Sequence, residues 1–92
     1  MIYTVYILFS EKHQKIYIGY TSNILNRIKS HNKLGKDWTA GFRPWIVVYS
    51  ENFSEKQHAM NREKQLKSAS ARQRIWELIR TEYTQNGFIS GL

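Results

Sequence analysis

The sequence predicts an α+β domain: a small, three-stranded, mainly antiparallel sheet flanked by helices, in the order β-β-α-β-α-α. Three observations carry this. Two β-prone runs, Ile2 to Phe9 and Gln14 to Tyr20, flank the short polar stretch Ser10 to His13, which reads as a hairpin. A third such run, Trp45 to Tyr49, follows Pro44. The remaining periodic segments have helical spacing and begin at cap-type residues. Three strands with helix cover are the fewest that hold together alone. At 92 residues, 41% of them hydrophobic, the chain has material for one compact core.

Taken in order, Ile2 to Phe9 is rich in β-branched and aromatic residues. Thr4, Tyr6 and Leu8 share one face and Tyr3, Val5, Ile7 and Phe9 the other, which looks more like the core. Symmetric pairing sets Phe9 opposite Gln14 and Tyr6 opposite Tyr17. Thr21, Ser22 and Asn23 then open a helix whose apolar stripe is Ile24, Leu25 and Ile28. Residues 32–44 read as loop. Ile46-Val47-Val48 reads as buried in the third strand, which Pro44 can precede but not enter. Ser54 with Gln57 fits a capping box for a helix from about residue 55 to Lys67. Ser70 with Gln73 repeats the signal for a helix to about Tyr83, with Ile75, Trp76, Leu78 and Ile79 apolar. Residues 1–83 are therefore expected as the single domain and residues 84–92, with two glycines, as a flexible tail.

Fourteen Lys and Arg against seven Asp and Glu leave a net charge of +7, a bias that favours a polyanion such as nucleic acid. The absence of cysteine excludes disulfides and thiolate zinc sites. No run reaches the ~20 apolar residues of a membrane span, and no leader precedes the first strand, so a soluble cytoplasmic protein without a membrane partner is expected.

The candidate chemistry is sparse. Tyr6 and Tyr17, on one face of the hairpin, are either an ordinary aromatic cross-strand pair or part of a site. Arg27 and His31 are four apart on the first helix and share a face. Arg27 can fork onto a phosphate and His31 can take a proton near neutral pH, but both also suit a solvated basic face. Glu63 lies on the second helix with Ala59 and Lys67 in its stripe. It is either a surface partner of Lys67 or a ligand for one Mg²⁺ or Mn²⁺ completed by waters and phosphate. Basic residues interleaved with aromatics give the expected nucleic-acid contacts: Lys29, Lys33, Lys36, Trp38, Arg43 and Lys67. No phosphate-cradling glycine loop and no nucleophile elbow are present.

Thr4-Val5-Tyr6, Tyr17-Ile18-Gly19, Arg27, His31 and Glu63 within Arg62-Glu63-Lys64-Gln65-Leu66-Lys67 stand in that order on successive elements. Together with Arg43-Pro44-Trp45 they make this chain one that resembles the GIY-YIG endonuclease superfamily, and within it the small stand-alone bacterial proteins. The likeness covers about residues 2 to 80. Thr4 stands where the first motif has glycine, and Val5 where it has its middle residue. The resemblance implies metal-dependent hydrolysis of phosphodiester bonds in nucleic acid, with DNA the leading expectation, and low sequence specificity or structure selectivity. A recruiting protein partner fits a chain with no room for a targeting domain. The implied roles are Tyr6 as general base, His31 as its helper, Tyr17 orienting water or phosphate, Arg27 on the scissile phosphate and Glu63 on one divalent metal. A phenol with pKa ~10 is a poor base at pH 7, so surrounding positive charge is expected to lower that of Tyr6. The alternatives are a nucleic-acid-binding module with this fold and little or no turnover, and an interaction module using Trp38, Phe42 and Trp45.

Overall fold

A computed structural model describes residues 1–34 and 38–92, Leu34 by its backbone alone. The strands are β1 (Tyr3–Ser10), β2 (Lys15–Thr21) and β3 (Ile46–Phe53), all antiparallel, in the spatial order β2-β1-β3. Helix α1 (Ile24–Lys29) widens into a π turn (Ser30–Leu34), and a 3₁₀ turn (Trp38–Phe42) leads to β3. Helices α2 (Lys56–Leu66) and α3 (Ala69–Leu78) follow, and α3 continues through a π segment (Ile79–Tyr83) into a last turn at Thr84–Asn86. This is the predicted α+β architecture and order.

The hairpin register differs from the symmetric expectation. The four-residue turn is Glu11 to Gln14, with Gln14 at φ 54° and its side chain donating to the Glu11 carbonyl at 2.7 Å. Ser10 therefore pairs with Lys15, Leu8 with Tyr17 and Tyr6 with Gly19. The shift spans two positions, so every side chain keeps its face, and Tyr6 and Tyr17 become diagonal neighbours instead of opposites.

As the central strand, β1 is covered on both faces, and Val5 through Ser10 are all buried. Val5, Ile7 and Phe9 join Ile16, Ile18, Ala59, Leu66, Ile75 and Leu78 under α2 and α3. The opposite face, expected to be the polar one, carries a second small core of Tyr6, Leu8 and Trp45 with Tyr17, Ile24, Phe42 and Val47 around it. Leu25 is 77% exposed, so the stripe expected on α1 does not form. With six residues, α1 docks through Ile24 alone of that pair.

Strand β3 carries a bulge. Ile7 pairs with Tyr49 and Leu8 with Val47, which leaves Val48 as an extra residue. Val48 and Tyr49 both pack on the main core, while Val47 turns to the second one and Ile46 is exposed, against the uniform burial expected of 46–48. The Val48 carbonyl accepts from the Ile89 N–H at 2.9 Å. Ile89 is buried, Gly87 turns the chain at φ 82°, and Glu82 accepts from the Ser90 and Gly91 N–H groups. Within residues 84–92, expected as a flexible tail, Thr84–Asn86 form a helical turn and Ile89 packs beside β3.

Caps differ in detail. Asn23 caps α1 through a bond from the Asn26 N–H at 3.2 Å. Glu55, not Ser54, precedes α2 and makes no side-chain cap bond. Ser68, not Ser70, caps α3 through the Ala71 N–H. No helix among the described residues is long and apolar enough to cross a membrane.

Ile89→Ala is expected to lower stability in urea by about 2 kcal/mol, the low end for a buried Ile→Ala because a terminal segment can settle into the gap. Leu25→Ala is expected to stay within about 0.5 kcal/mol.

Candidate active site

The second core is built around two polar side chains that sequence alone would not bury. Tyr6 is 1% exposed and so is His31. Tyr6 Oη lies 3.0 Å from His31 Nε2, and His31 Nδ1 lies 2.9 Å from Thr39 Oγ1, itself buried. Burial pushes the Tyr6 phenol up to about 12, against the lowering pull of the nearby Arg27 guanidinium. With Nε2 as the acceptor, the phenol donates to it and the imidazole proton lies on Nδ1, aimed at Thr39.

The surroundings close the group. The Arg27 guanidinium faces both phenols, and Tyr6 and then Tyr17 raise its own pKa further. Tyr17 packs against both rings, 4.7 Å from His31 and 6.2 Å from Tyr6 by centroids. The Glu63 charge reaches Tyr6 and adds to the upward shift. The structure therefore brings together Tyr6, Tyr17, Arg27, His31 and Glu63, five side chains from β1, β2, α1, the π turn and α2. The expectation that positive charge lowers the Tyr6 pKa is not met, because desolvation outweighs Arg27.

Gly19 is what lets the tyrosines meet. It sits opposite Tyr6 on β2, and a Cβ there would lie 2.8 Å from Tyr6 Oη and 3.1 Å from Tyr17 Cε1. Tyr6 lies across the bare backbone, so its hydroxyl passes over β2 on its way to His31.

The expected nucleic-acid contacts separate. Lys29, Lys33 and Trp38 are exposed, Trp38 by 54%, with Trp38 stacked 4.6 Å from Phe42. Lys36 lies outside the described residues. Lys67 is an exposed partner of Glu63 at 3.4 Å. Arg43 is a structural residue. Its Nε donates to the His31 carbonyl at 2.6 Å and its Nη2 to the Ser30 carbonyl at 3.2 Å, holding the π turn that carries His31. Trp45 is buried and donates to the Thr39 carbonyl at 2.8 Å, so it anchors this wall instead of an interface.

Sequence reasoning missed Thr39 and Asn32. Asn32 accepts from the Trp45 N–H at 2.6 Å and donates to the Trp45 carbonyl at 2.9 Å, locking the π turn to the start of β3. Thr39 had no signal, as its role depends on a 3₁₀ turn placed eight residues after His31. Asn32 beside a candidate histidine was a fair cue for a backbone-bonding amide.

For a metal, the donor set is one partly buried carboxylate, Glu63, among the described residues, with no group of three His, Cys, Asp or Glu. Among the described residues this makes no all-protein cage, and it fits a hard cation held by one carboxylate, waters and substrate phosphate.

Gly19→Ala is expected to cost about 1–3 kcal/mol by overpacking. The cost should shrink when combined with Tyr6→Phe, which removes the closest contact, and a thermodynamic cycle measures that coupling. Tyr6 also holds its proton more tightly when folded than at its ordinary value of 10. Its stabilising contribution is full below pH 10 and is lost as pH rises through about 12. Urea unfolding above pH 10 should therefore fall less steeply in Tyr6→Phe.

Residues 2–76 match the family model described as the GIY-YIG catalytic domain. A UPF0213 protein of Staphylococcus haemolyticus is 42% identical over 65 residues, covering 70% of this chain and 79% of that protein. One from Clostridium perfringens is 39% identical over 72 residues, covering 77% and 76%. The solution NMR structure of a UPF0213 protein from Bacillus halodurans superposes with a TM-score of 0.54 at 31% identity over 90% of each chain. Both tyrosine strings, the arginine, the histidine and the glutamate fall inside the matched span, and the chain belongs to the GIY-YIG family.

Proposed function

We propose that this chain is a divalent-metal-dependent endonuclease that hydrolyses phosphodiester bonds in nucleic acid, DNA foremost, with low sequence specificity or structure selectivity. The observation that carries this reading is the buried Tyr6 hydroxyl 3.0 Å from His31 Nε2, with the Arg27 guanidinium near enough to pull against its raised pKa. Such an oxygen has its proton already directed at an acceptor and its lone pair beside a phosphate ligand.

Arg27 is partly exposed and is the cation a phosphodiester meets at this site. Its planar fork suits two phosphate oxygens and offsets charge that develops in the transition state. Water attacks phosphorus, gives a proton to Tyr6 Oη, and the Tyr6 proton passes to His31 Nε2. The phosphorus–oxygen bond to the leaving group breaks. Because the two transfers are coupled, the phenol need never stand free as a phenolate, and its pKa of about 12 is no obstacle. Thr39 keeps the imidazole oriented, and Tyr17 lies where it can direct the water or the phosphate. Glu63 would hold a divalent cation, which when bound supplies Lewis-acid stabilisation of the leaving oxygen. Lys29, Lys33 and exposed Trp38 suit backbone attraction and base stacking beyond the scissile bond.

The test incubates the protein with branched, nicked and linear DNA and with RNA, in Mg²⁺ or Mn²⁺. Cleavage is expected, and should be lost on chelation and in Tyr6→Phe, Arg27→Ala and Glu63→Ala. In Tyr6→Phe the DNA affinity should stay near that of wild type. Retained cleavage in Tyr6→Phe would sink the general-base role. Binding without cutting on every substrate would establish the alternative of a binding module.

A further inference from the structure

The face that carries Tyr6 continues past it into an open groove of about 460 Å³. Along β1 the next residue on this face is Thr4, about 7 Å away by strand geometry. Across β3, Ser50 pairs with Tyr6 and Asn52 with Thr4, and both Ser50 and Asn52 are exposed. The far wall is Asn23 and the apolar Ile24 and Leu25 at the start of α1.

Two properties distinguish this groove. Among the described residues none that lines it is charged, although the chain carries +7. A phosphate meets no cation in that lining, whereas it meets Arg27 beside Tyr6. Its polar groups are also oriented. The Thr4 hydroxyl donates to Asn52 Oδ1 at 2.8 Å, which fixes the amide plane and turns the Asn52 NH₂ away from Thr4. An amide held in one plane presents donors and a remaining lone pair to a flat, neutral, hydrogen-bonding ring. Leu25, left 77% exposed by the fold, provides an apolar surface for the face of such a ring.

We infer that this groove is a nucleobase subsite: it takes the base of a nucleotide flanking the scissile phosphate, with Asn52 reading its edge and Thr4 positioning Asn52. The inference rests on the nuclease reading for the place of the phosphate. It gives Thr4, which stands where the family motif has glycine, a task that glycine could not perform. It also gives an otherwise weakly specific site a preference at one position.

Two measurements test it on the intact chain. The first titrates ¹⁵N,¹³C-labelled protein with each of the four 2′-deoxynucleoside monophosphates and, separately, with inorganic phosphate. The nucleotides should shift the Asn52 side-chain NH₂ and the Leu25 methyls, with one base strongest, and phosphate should leave both unmoved. Asn52→Leu should weaken the preferred nucleotide about tenfold, the size of one amide–base pair, without changing phosphate affinity. Thr4→Val, which keeps the volume and drops the hydroxyl, should level the four bases. The second measurement cuts randomised single-stranded and hairpin DNA pools with Mg²⁺ and sequences the ends. Wild type should show a base bias next to the cut that Asn52→Leu and Thr4→Val erase. Equal shifts by phosphate and nucleotides, or the same bias in all three proteins, would overturn the subsite. Absence of cutting with a positive titration would count against the nuclease reading and leave the subsite supported.

Discussion

The hydrogen bond between Tyr6 and His31 is the constraint around which this small domain is arranged. Two polar rings sit at full burial, where an unmet donor or acceptor costs about 1–3 kcal/mol, so each needs its partner placed in advance. Gly19 clears the path for the phenol. Asn32 and Arg43 hold the backbone that presents the imidazole, and Thr39 completes its second nitrogen. Trp45 closes the wall behind Thr39. Removing Thr39, Asn32, Arg43 or Trp45 leaves a polar group at this site short of a partner, so much of the second core's polar chemistry serves one pair.

Much of this could be seen in the residues, and the gaps have physical causes. Strand order and helix order follow from period and caps, because those signals are local. The pairing of Tyr6 with Gly19 was not legible, since register is set by how Glu11 to Gln14 turn and not by which residues are apolar. The faces survived that error because the slip was by an even number. The bulge at Val48 left no mark on a run of three β-branched residues. The π turn was hidden for a similar reason: the carbonyls it frees are satisfied by Arg43, twelve or more residues on. Leu25 read as core by spacing and stands in solvent, because a six-residue helix docks over too short a length to bury a full stripe.

Charge shows a comparable limit. The excess of seven was read as a footprint for a polyanion. Arg43 donates to two carbonyls, Arg27 lies against two phenols and Lys67 pairs with Glu63. The basic character is thus divided between holding the site together and facing outward, and net charge alone overstates the second share. The cations inside the site act over a few ångströms with little screening, whereas Lys29 and Lys33 act through solvent and fade with salt.

The last residues bear on how copies of the chain behave toward one another. With the order β2-β1-β3, the outer rim of β3 is a sheet edge, and exposed Ile46 sits on that strand. Such rims recruit further strands and seed aggregation unless something blunts them. Here the bulge distorts the rim at Val48, and the segment running through Ile89 occupies its carbonyl. Both features fall on the side of the strand away from β1, where they interrupt the row of edge groups that another strand would need, and they leave the approach to Tyr6 as it is.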